Sequence, residues 1–304
     1  MRRGKIGLVF LVSTFAGCGV DFIALRLQGP MQVNPGARVD ILDGQVYATR
    51  GGQELQYDLY RPMDDAGPRP LVVLVHGGSW RSGERTDLIE WCYDLAAHGY
   101  AATTIDYRLT KNGVVFPAPV SDVLAAIRFF RGQAVTCGID ASRVAVFGMS
   151  AGGQLALLAG LTNDASVFDS DRPAGESAGV KCVLDLFGPT DFTVDPSTVE
   201  PDQIQRVERY LGKSIAEAGE LLRVASPITY VRTDGPPVLV IHGDSDMTVP
   251  VDQARRLIAA MNAVGEANVY LEVPGMDHIP GAIWQGEFAQ GYRSTVLDFL
   301  RERL

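Results

Sequence analysis

The chain has little positive charge to spare. Lys and Arg number 27 against 36 Asp and Glu, which gives a formal charge of −9 and a pI near 5.0. A phosphate-backbone partner needs clustered basic residues, and no basic stripe with interleaved aromatics occurs, so nucleic acid is excluded as a partner. Cysteine is also sparse. Cys18, Cys92, Cys137 and Cys182 are widely spaced and form neither a metal-ligand pattern nor a disulfide framework. Cys92, Cys137 and Cys182 are therefore expected as buried thiols, with one disulfide among them as the alternative. Histidine occurs four times, as His76, His98, His242 and His278. Any imidazole chemistry has to run through one of these. Internal repeats and low-complexity tracts are absent.

What the chain does have is apolar content. At 46% hydrophobic residues over 304 positions, there is ample material for a sizeable core, and disorder is excluded.

The first residues read as an address. Arg2, Arg3 and Lys5 precede an apolar stretch from Ile6 to Phe15, interrupted only by Ser13 and Thr14, and the small residues Ala16 and Gly17 lead to Cys18. This is a secretory pattern, and its apolar stretch is too short to cross a hydrocarbon layer of roughly 30 Å as a helix. Removal of the leader leaves a chain of about −12. "FAGC" resembles the lipobox of bacterial lipoproteins, apart from Phe15 where an aliphatic residue is usual. The resemblance implies lipidation of Cys18 and a membrane attachment through the acyl chains. Gly19 supplies no inner-membrane retention aspartate, which favours the outer membrane over the periplasm in a cell that has one. The alternative is an ordinary cleaved signal peptide with an incidental cysteine and a secreted protein. The expected organisation is a leader over 1–17, a tether over 18–37 rich in Pro and Gly, and one folded domain over 38–304.

Within that domain, "RVDILDGQVYA" and "QELQYDLYRP" alternate about an "RGG" turn and predict an antiparallel start. "RPLVVLVHGG" is a continuous apolar run, the pattern of a parallel strand buried on both faces. Strand and helix patterns then alternate to the C-terminus, interrupted by a long variable stretch over 188–230. Repeated βα units predict an α/β fold with a mostly parallel central sheet and helices on both faces.

One short segment stands out in this frame. Gly148-Met149-Ser150-Ala151-Gly152 fits G-x-S-x-G between the strand "RVAVF" and the helix "QLALL", the setting of a nucleophile elbow. A serine on such a turn is strained and exposed, and glycines two residues to either side remove collisions with neighbouring elements. The following helix points its amino end at the site. Serine needs a general base, for which histidine is the usual group near neutral pH. His98 lies at a helix end, and His76 and His242 each end a strand before glycine, positions that suit local packing. His278, in the late loop "PGMDHIP", fits the chain order serine, acid, histidine. The acid is expected in "VLVIHGDSDMTVP", where Asp244 and Asp246 both follow a strand at the carboxyl edge of the sheet. The spacing alone does not choose between them. "VHGGSW" follows the central strand with glycines, so its backbone N–H groups, with that of Ala151, can form an oxyanion hole. A metal site at Asp244 and Asp246 lacks supporting histidine spacing.

Eight segments in order now carry a resemblance: "YDLYRP", "HGGSW", "DYRL", "FPAPVSDV", "GMSAGG", "ASPITYV", "PPVLVIHGDSDMTVP" and "GMDH". Over residues 40–304 the chain resembles α/β-hydrolase carboxylesterases of the hormone-sensitive-lipase-like and bacterial feruloyl/acetyl-esterase-like groups. The resemblance implies Ser150 as nucleophile, His278 as base, Asp246 as acid with Asp244 left as a turn residue, and the amides of Gly78, Ser79 and Ala151 as oxyanion donors. It implies an acyl-enzyme route on small esters, with no metal and no organic cofactor. "HGGS" for "HGGG" and "DHIP" for "DHGF" loosen the assignment to a subgroup. The rivals are an arylformamidase or other amide hydrolase using the same triad, and a catalytically silent binding protein, which typically lacks a triad member. The 188–230 and 162–178 segments are expected to shape the pocket, and the lack of a long apolar lid helix favours short-chain esters.

Overall fold

The computed structural model describes residues 38–64, 66–162, 168, 177–278 and 287–304. The leader, Cys18 and the tether lie outside the described residues.

The chain opens with the hairpin of β1 (Val39–Arg50) and β2 (Gln53–Pro62) about the Gly51-Gly52 turn. It continues through β3 (Arg69–Val75), α1 (Ile89–Ala97), β4 (Ala101–Ile105), α2 (Ala118–Gly132), the single turn α3 (Ala134–Cys137) and β5 (Ile139–Met149). Next come α4 (Ala151–Leu161), β6 (Cys182–Leu186), α5 (Pro201–Leu211), the short α6 (Ile215–Ala218) and α7 (Glu220–Val224), and β7 (Val238–Gly243). The described chain closes with α8 (Asp252–Val264), β8 (Asn268–Val273) and α9 (Glu287–Arg303). The strands form one sheet in the order β1-β2-β4-β3-β5-β6-β7-β8. The hairpin pairs antiparallel, β2 with β1 and with β4, and every pairing from β4 through β3 to β8 is parallel. The expected α/β fold with its mostly parallel sheet and antiparallel start is borne out.

The apolar runs read as strands have a simple cause. In β3 the side chains of Leu71, Val73 and Val75 enter one core, shared with Val123 and Ile127 of α2, Leu155 of α4 and Leu257 of α8. Val72 and Leu74 enter the other, shared with Trp91 and Leu95 of α1 and Val296 and Leu300 of α9. A strand covered on both faces needs apolar residues at every position, so alternation disappears from its sequence. Helix α4 is buried along its whole length, and a helix covered on all sides is apolar on all sides. The three cysteines beyond Cys18 are free and buried, as expected.

The 188–230 stretch is more structured than its sequence suggested. It holds α5, α6 and α7 between β6 and β7. Helix α5 carries Ile204, Val207 and Tyr210 on one side of an otherwise polar sequence, and that side faces the carboxyl edge of the sheet.

Candidate active site

Strand β5 runs into α4 through a turn at Ser150, whose φ of 54° is strained for a residue with a side chain. The flanking glycines are sterically required. A Cβ on Gly148 would stand 2.0 Å from the carbonyl oxygen of Gly152, and one on Gly152 would stand 2.1 Å from that of Val75. The elbow is further tied to β6 by the Ser150 N–H, which donates to Leu186 O at 2.8 Å.

His278 follows β8 in the loop after Gly275, and Asp246 follows β7. Asp246 Oδ2 lies 2.6 Å from His278 Nδ1, and His278 Nε2 lies 2.8 Å from Ser150 Oγ. With Asp246 ionised, Nδ1–H donates to the carboxylate and Nε2 is left to accept the serine proton. All three side chains are buried. Burial alone would raise the Asp246 carboxyl pKa, but hydrogen bonds from His242 and His278, the charge of His278 and the Val249 amide outweigh it. They hold the group well below the ordinary carboxylate range. Asp246 Oδ1 accepts from the N–H groups of Thr248 and Val249, each at 2.8 Å, which fixes the carboxylate plane.

The choice between the two aspartates is thereby made by position. Asp244 Oδ1 accepts from Gly275 N–H at 2.7 Å and from Ser245 Oγ at 2.9 Å, so it ties the β7 and β8 turns together. The other three histidines do not reach Ser150, although His242 Nε2 stands 3.3 Å from Asp246 Oδ2. His98 Nδ1 lies 2.7 Å from Asp94 O at the end of α1, and His242 Nε2 lies 2.8 Å from Val249 O. His76 stacks on Tyr107 with ring centroids 4.3 Å apart, and its Nδ1 lies 2.8 Å from Gly77 O. Burial lowers its pKa and favours the neutral ring, although the Gly77 carbonyl pulls the other way.

The "HGGSW" loop passes directly beside the elbow. A Cβ on Gly77 would meet the Ser150 Cβ at 3.1 Å. Gly78, Ser79 and Trp80 then adopt φ of 106°, 52° and 58° in succession. Ser79 and Ala151 line the same cavity as Ser150, and Gly78 O accepts from the N–H groups of Arg81 and Ser82, each at 3.0 Å, which closes the turn before Ser82. Ala151 opens α4, so its N–H has no acceptor within the helix. The "DYRL" and "FPAPVSDV" segments find their role in holding this loop. The Tyr107 hydroxyl donates to His76 O at 3.0 Å, Asp106 accepts from Arg85, and Arg108 forks onto Asp122.

A cavity of ≈350 Å³ opens at Ser150. Its walls come from Trp80 beside the elbow, Phe192 and Val194 after β6, Ile204 and Val207 of α5, and Val249 after β7. Gln253 of α8 pins the lip, because its Oε1 accepts from the N–H groups of Thr190 and Asp191 at 2.8 Å and 2.7 Å. The 188–230 segment therefore shapes the pocket as expected. Most of the 162–178 segment lies outside the described residues.

A nucleophile elbow, an imidazole on its hydroxyl and an ionised acid on that imidazole, all at the carboxyl edge of this sheet, define an α/β-hydrolase. The chain matches the BD-FAE family over residues 57–261 and belongs to that family. It is 36% identical over 228 residues to the esterase LipC of Mycobacterium tuberculosis, covering 73% of this chain and 56% of that protein. It is 25% identical to the isoprenylcysteine alpha-carbonyl methylesterase ICME of Arabidopsis thaliana, covering 73% of this chain and 53% of that one. The chain thus spans little more than half the length of these curated relatives. Among solved structures, a truncated carbohydrate esterase from gut microbiota superposes with a TM-score of 0.76 at 26% identity, covering 87% of this chain and 96% of the other. Esterase 2 of Thermogutta terrifontis, phosphonylated by sarin, superposes with a TM-score of 0.76 at 25% identity, covering 91% and 98%. The resemblance to esterases of the α/β-hydrolase fold is borne out.

Proposed function

We propose that this protein is a serine carboxylic-ester hydrolase. The observation that carries the reading is the continuous hydrogen-bonded chain from Ser150 Oγ through His278 to Asp246 at the mouth of a cavity. Ser150 Oγ attacks the ester carbonyl carbon while its proton passes to His278 Nε2, and Asp246 stabilises the resulting imidazolium. The oxyanion that forms is met by the N–H groups of Gly78, Ser79 and Ala151. Collapse of the tetrahedral species breaks the bond to the alcohol oxygen, and His278 returns the proton to that leaving group. Water then gives a proton to His278 as its oxygen bonds to the acyl carbon, and the second collapse frees the acid and restores Ser150. That a structural neighbour, an esterase, is phosphonylated by sarin supports the reading of an activated nucleophile.

The cavity suits short-chain or small aryl and acetyl esters. A volume of ≈350 Å³ lies at the lower end of small-molecule pockets. Purified protein is expected to hydrolyse p-nitrophenyl acetate and butyrate and to react with a fluorophosphonate probe, and Ser150→Ala should lose both properties. Turnover in Ser150→Ala at the wild-type rate would overturn the reading. An amide hydrolase would instead prefer aryl formamides over the matched esters, and a silent binding protein would fail to label.

The reading places the enzyme at a bacterial cell envelope, held by acyl chains on Cys18. Its support is the sequence Arg2 to Cys18 alone. Expressed from its full gene, wild-type protein should fractionate with membranes, and Cys18→Ala should be released in soluble form.

A further inference from the structure

Gln154 lies one turn beyond Ser150 on α4 and is fully buried. Its neighbours in "AGGQLALLAG" are glycine and aliphatic residues, so an unpaired amide there would be costly. Both ends are paired. Oε1 accepts from Trp80 Nε1–H at 3.0 Å and from the Tyr210 hydroxyl at 3.2 Å, and Nε2 donates to Ala225 O at 2.9 Å.

These partners belong to different parts of the site. Trp80 is the residue after Ser79 and holds a left-handed φ of 58°. Its carbonyl accepts from Thr110 N–H at 2.8 Å, while its indole stacks on Tyr210 with centroids 4.2 Å apart and planes 12° apart. Tyr210 stands near the C-terminal end of α5, the helix whose Ile204 and Val207 wall the cavity. Farther up α5, Gln203 Nε2 donates to Met247 O beside Asp246 at 3.4 Å. One helix thus touches the oxyanion loop through Tyr210 and Gln154, and the acid loop through Gln203.

We propose that Gln154 is a positioning residue: it fixes Trp80, and through it the Ser79 amide, against the nucleophile helix, and makes that placement depend on the seating of α5. The inference rests on the reading of Ser79 as an oxyanion donor in an ester hydrolase. A tripeptide of left-handed residues is strained and persists only where its surroundings over-determine it. The Trp80 indole, locked by one hydrogen bond and one stacked ring, supplies that determination from the side chain.

The test uses the whole chain and compares wild type, Gln154→Met, Trp80→Phe and the double variant. Active sites are counted by fluorophosphonate titration, so that unfolded protein does not enter kcat. Each single change should lower kcat per titrated site by about tenfold or more with KM within about twofold, the signature of a displaced transition-state donor. The double variant should be no slower than the slower single, because both changes break one linkage. Affinity for a trifluoromethyl ketone, which forms a tetrahedral oxyanion on the serine, should fall in parallel with kcat. If Gln154→Met does not fold, Trp80→Phe carries the same comparison. An unchanged kcat per site, or losses that multiply in the double variant, would overturn the inference and leave Gln154 as a core amide. If Ser150→Ala turns over ester in the same assay, the reading of the site itself fails, and the inference with it.

Discussion

The Nε2 of His242 stands 3.3 Å from Asp246 Oδ2, the same oxygen that receives the Nδ1–H of His278 at 2.6 Å. One carboxylate oxygen thus faces two imidazoles, the second held in place by Val249 O. The two contacts should separate cleanly in kinetics. Asp246→Asn removes the charge and favours the wrong tautomer of His278, and kcat should fall by about 10⁴, as in other Ser–His–Asp sites. His242→Gln leaves the direct pair intact and loosens only its support, so a loss of about tenfold in kcat with little change in KM is expected. Equal losses in the two variants, measured on p-nitrophenyl acetate, would contradict this ranking.

The elbow glycines make a harsher prediction. The atoms that a Cβ on Gly148 or Gly152 would strike are backbone carbonyl oxygens, at 2.0 Å and 2.1 Å, and these cannot move without shifting α4 or β3. Gly148→Ala and Gly152→Ala should each destabilise the fold by about 3 kcal/mol or more, at or beyond the usual cost of overpacking a core. Urea unfolding measures this, and normal stability in either variant would show that the turn has freedom the structure does not suggest.

Much of this site was legible in the sequence because its chemistry demands particular residues at particular spacings. Ser150 between two obligatory glycines and His278 late in the chain are examples. The buried strands were legible because coverage on both faces removes alternation. Other features were hidden for physical reasons. Asp244 and Asp246 share one turn, so spacing alone does not choose between them. The resemblance pointed to Asp246, and the tertiary contacts of Asp246 with His278 and of Asp244 with Gly275 N–H separate their roles. Helix α5 was missed because "PDQIQRVERYL" buries one narrow side and leaves charge around the rest of its circumference. Its signal was the spacing of Ile204, Val207 and Tyr210. Gln154 was passed over as one polar residue in an apolar helix. A lone amide inside a helix buried all round was itself the clue, since such a group must find partners.

Asp185 gives a prediction with a definite pH dependence. It is fully buried on β6, its Oδ1 accepts from Gly188 N–H at 3.0 Å, and its Oδ2 has no hydrogen-bond partner among the described residues. Burial pushes its carboxyl up to about 7, against the opposing pull of His242 and the Gly188 amide. In the unfolded chain the same group titrates near 3.9. Between these values the folded protein keeps a proton that the unfolded chain releases, so stability falls as pH rises through this range and levels off above it. Asp185→Asn keeps an acceptor for Gly188 and carries no such penalty. It should be more stable than wild type at pH 8, by on the order of 2–4 kcal/mol at most, with the gap closing towards pH 4. Thermal unfolding from pH 4 to 8 tests this, and a gap independent of pH would show that Asp185 is ionised throughout.

The cavity wall tests substrate size. Val207 of α5 lines the ≈350 Å³ space at Ser150, and Val207→Phe would fill part of it without touching Ser150, His278 or Asp246. An enlarged side chain costs about 1–3 kcal/mol for each group it displaces from a close-fitting pocket. Small substrates should therefore keep their kcat/KM within about threefold, while the larger members of one series should lose about tenfold or more. Two series decide which part of the ester enters. In one the acyl chain lengthens from acetate to hexanoate on a constant p-nitrophenol, and in the other the alcohol grows on a constant acetate. Loss confined to the acyl series assigns the cavity to the acid portion, and loss confined to the alcohol series assigns it to the leaving group. If neither series responds, substrates do not use the α5 wall, and the cavity is not the determinant of size.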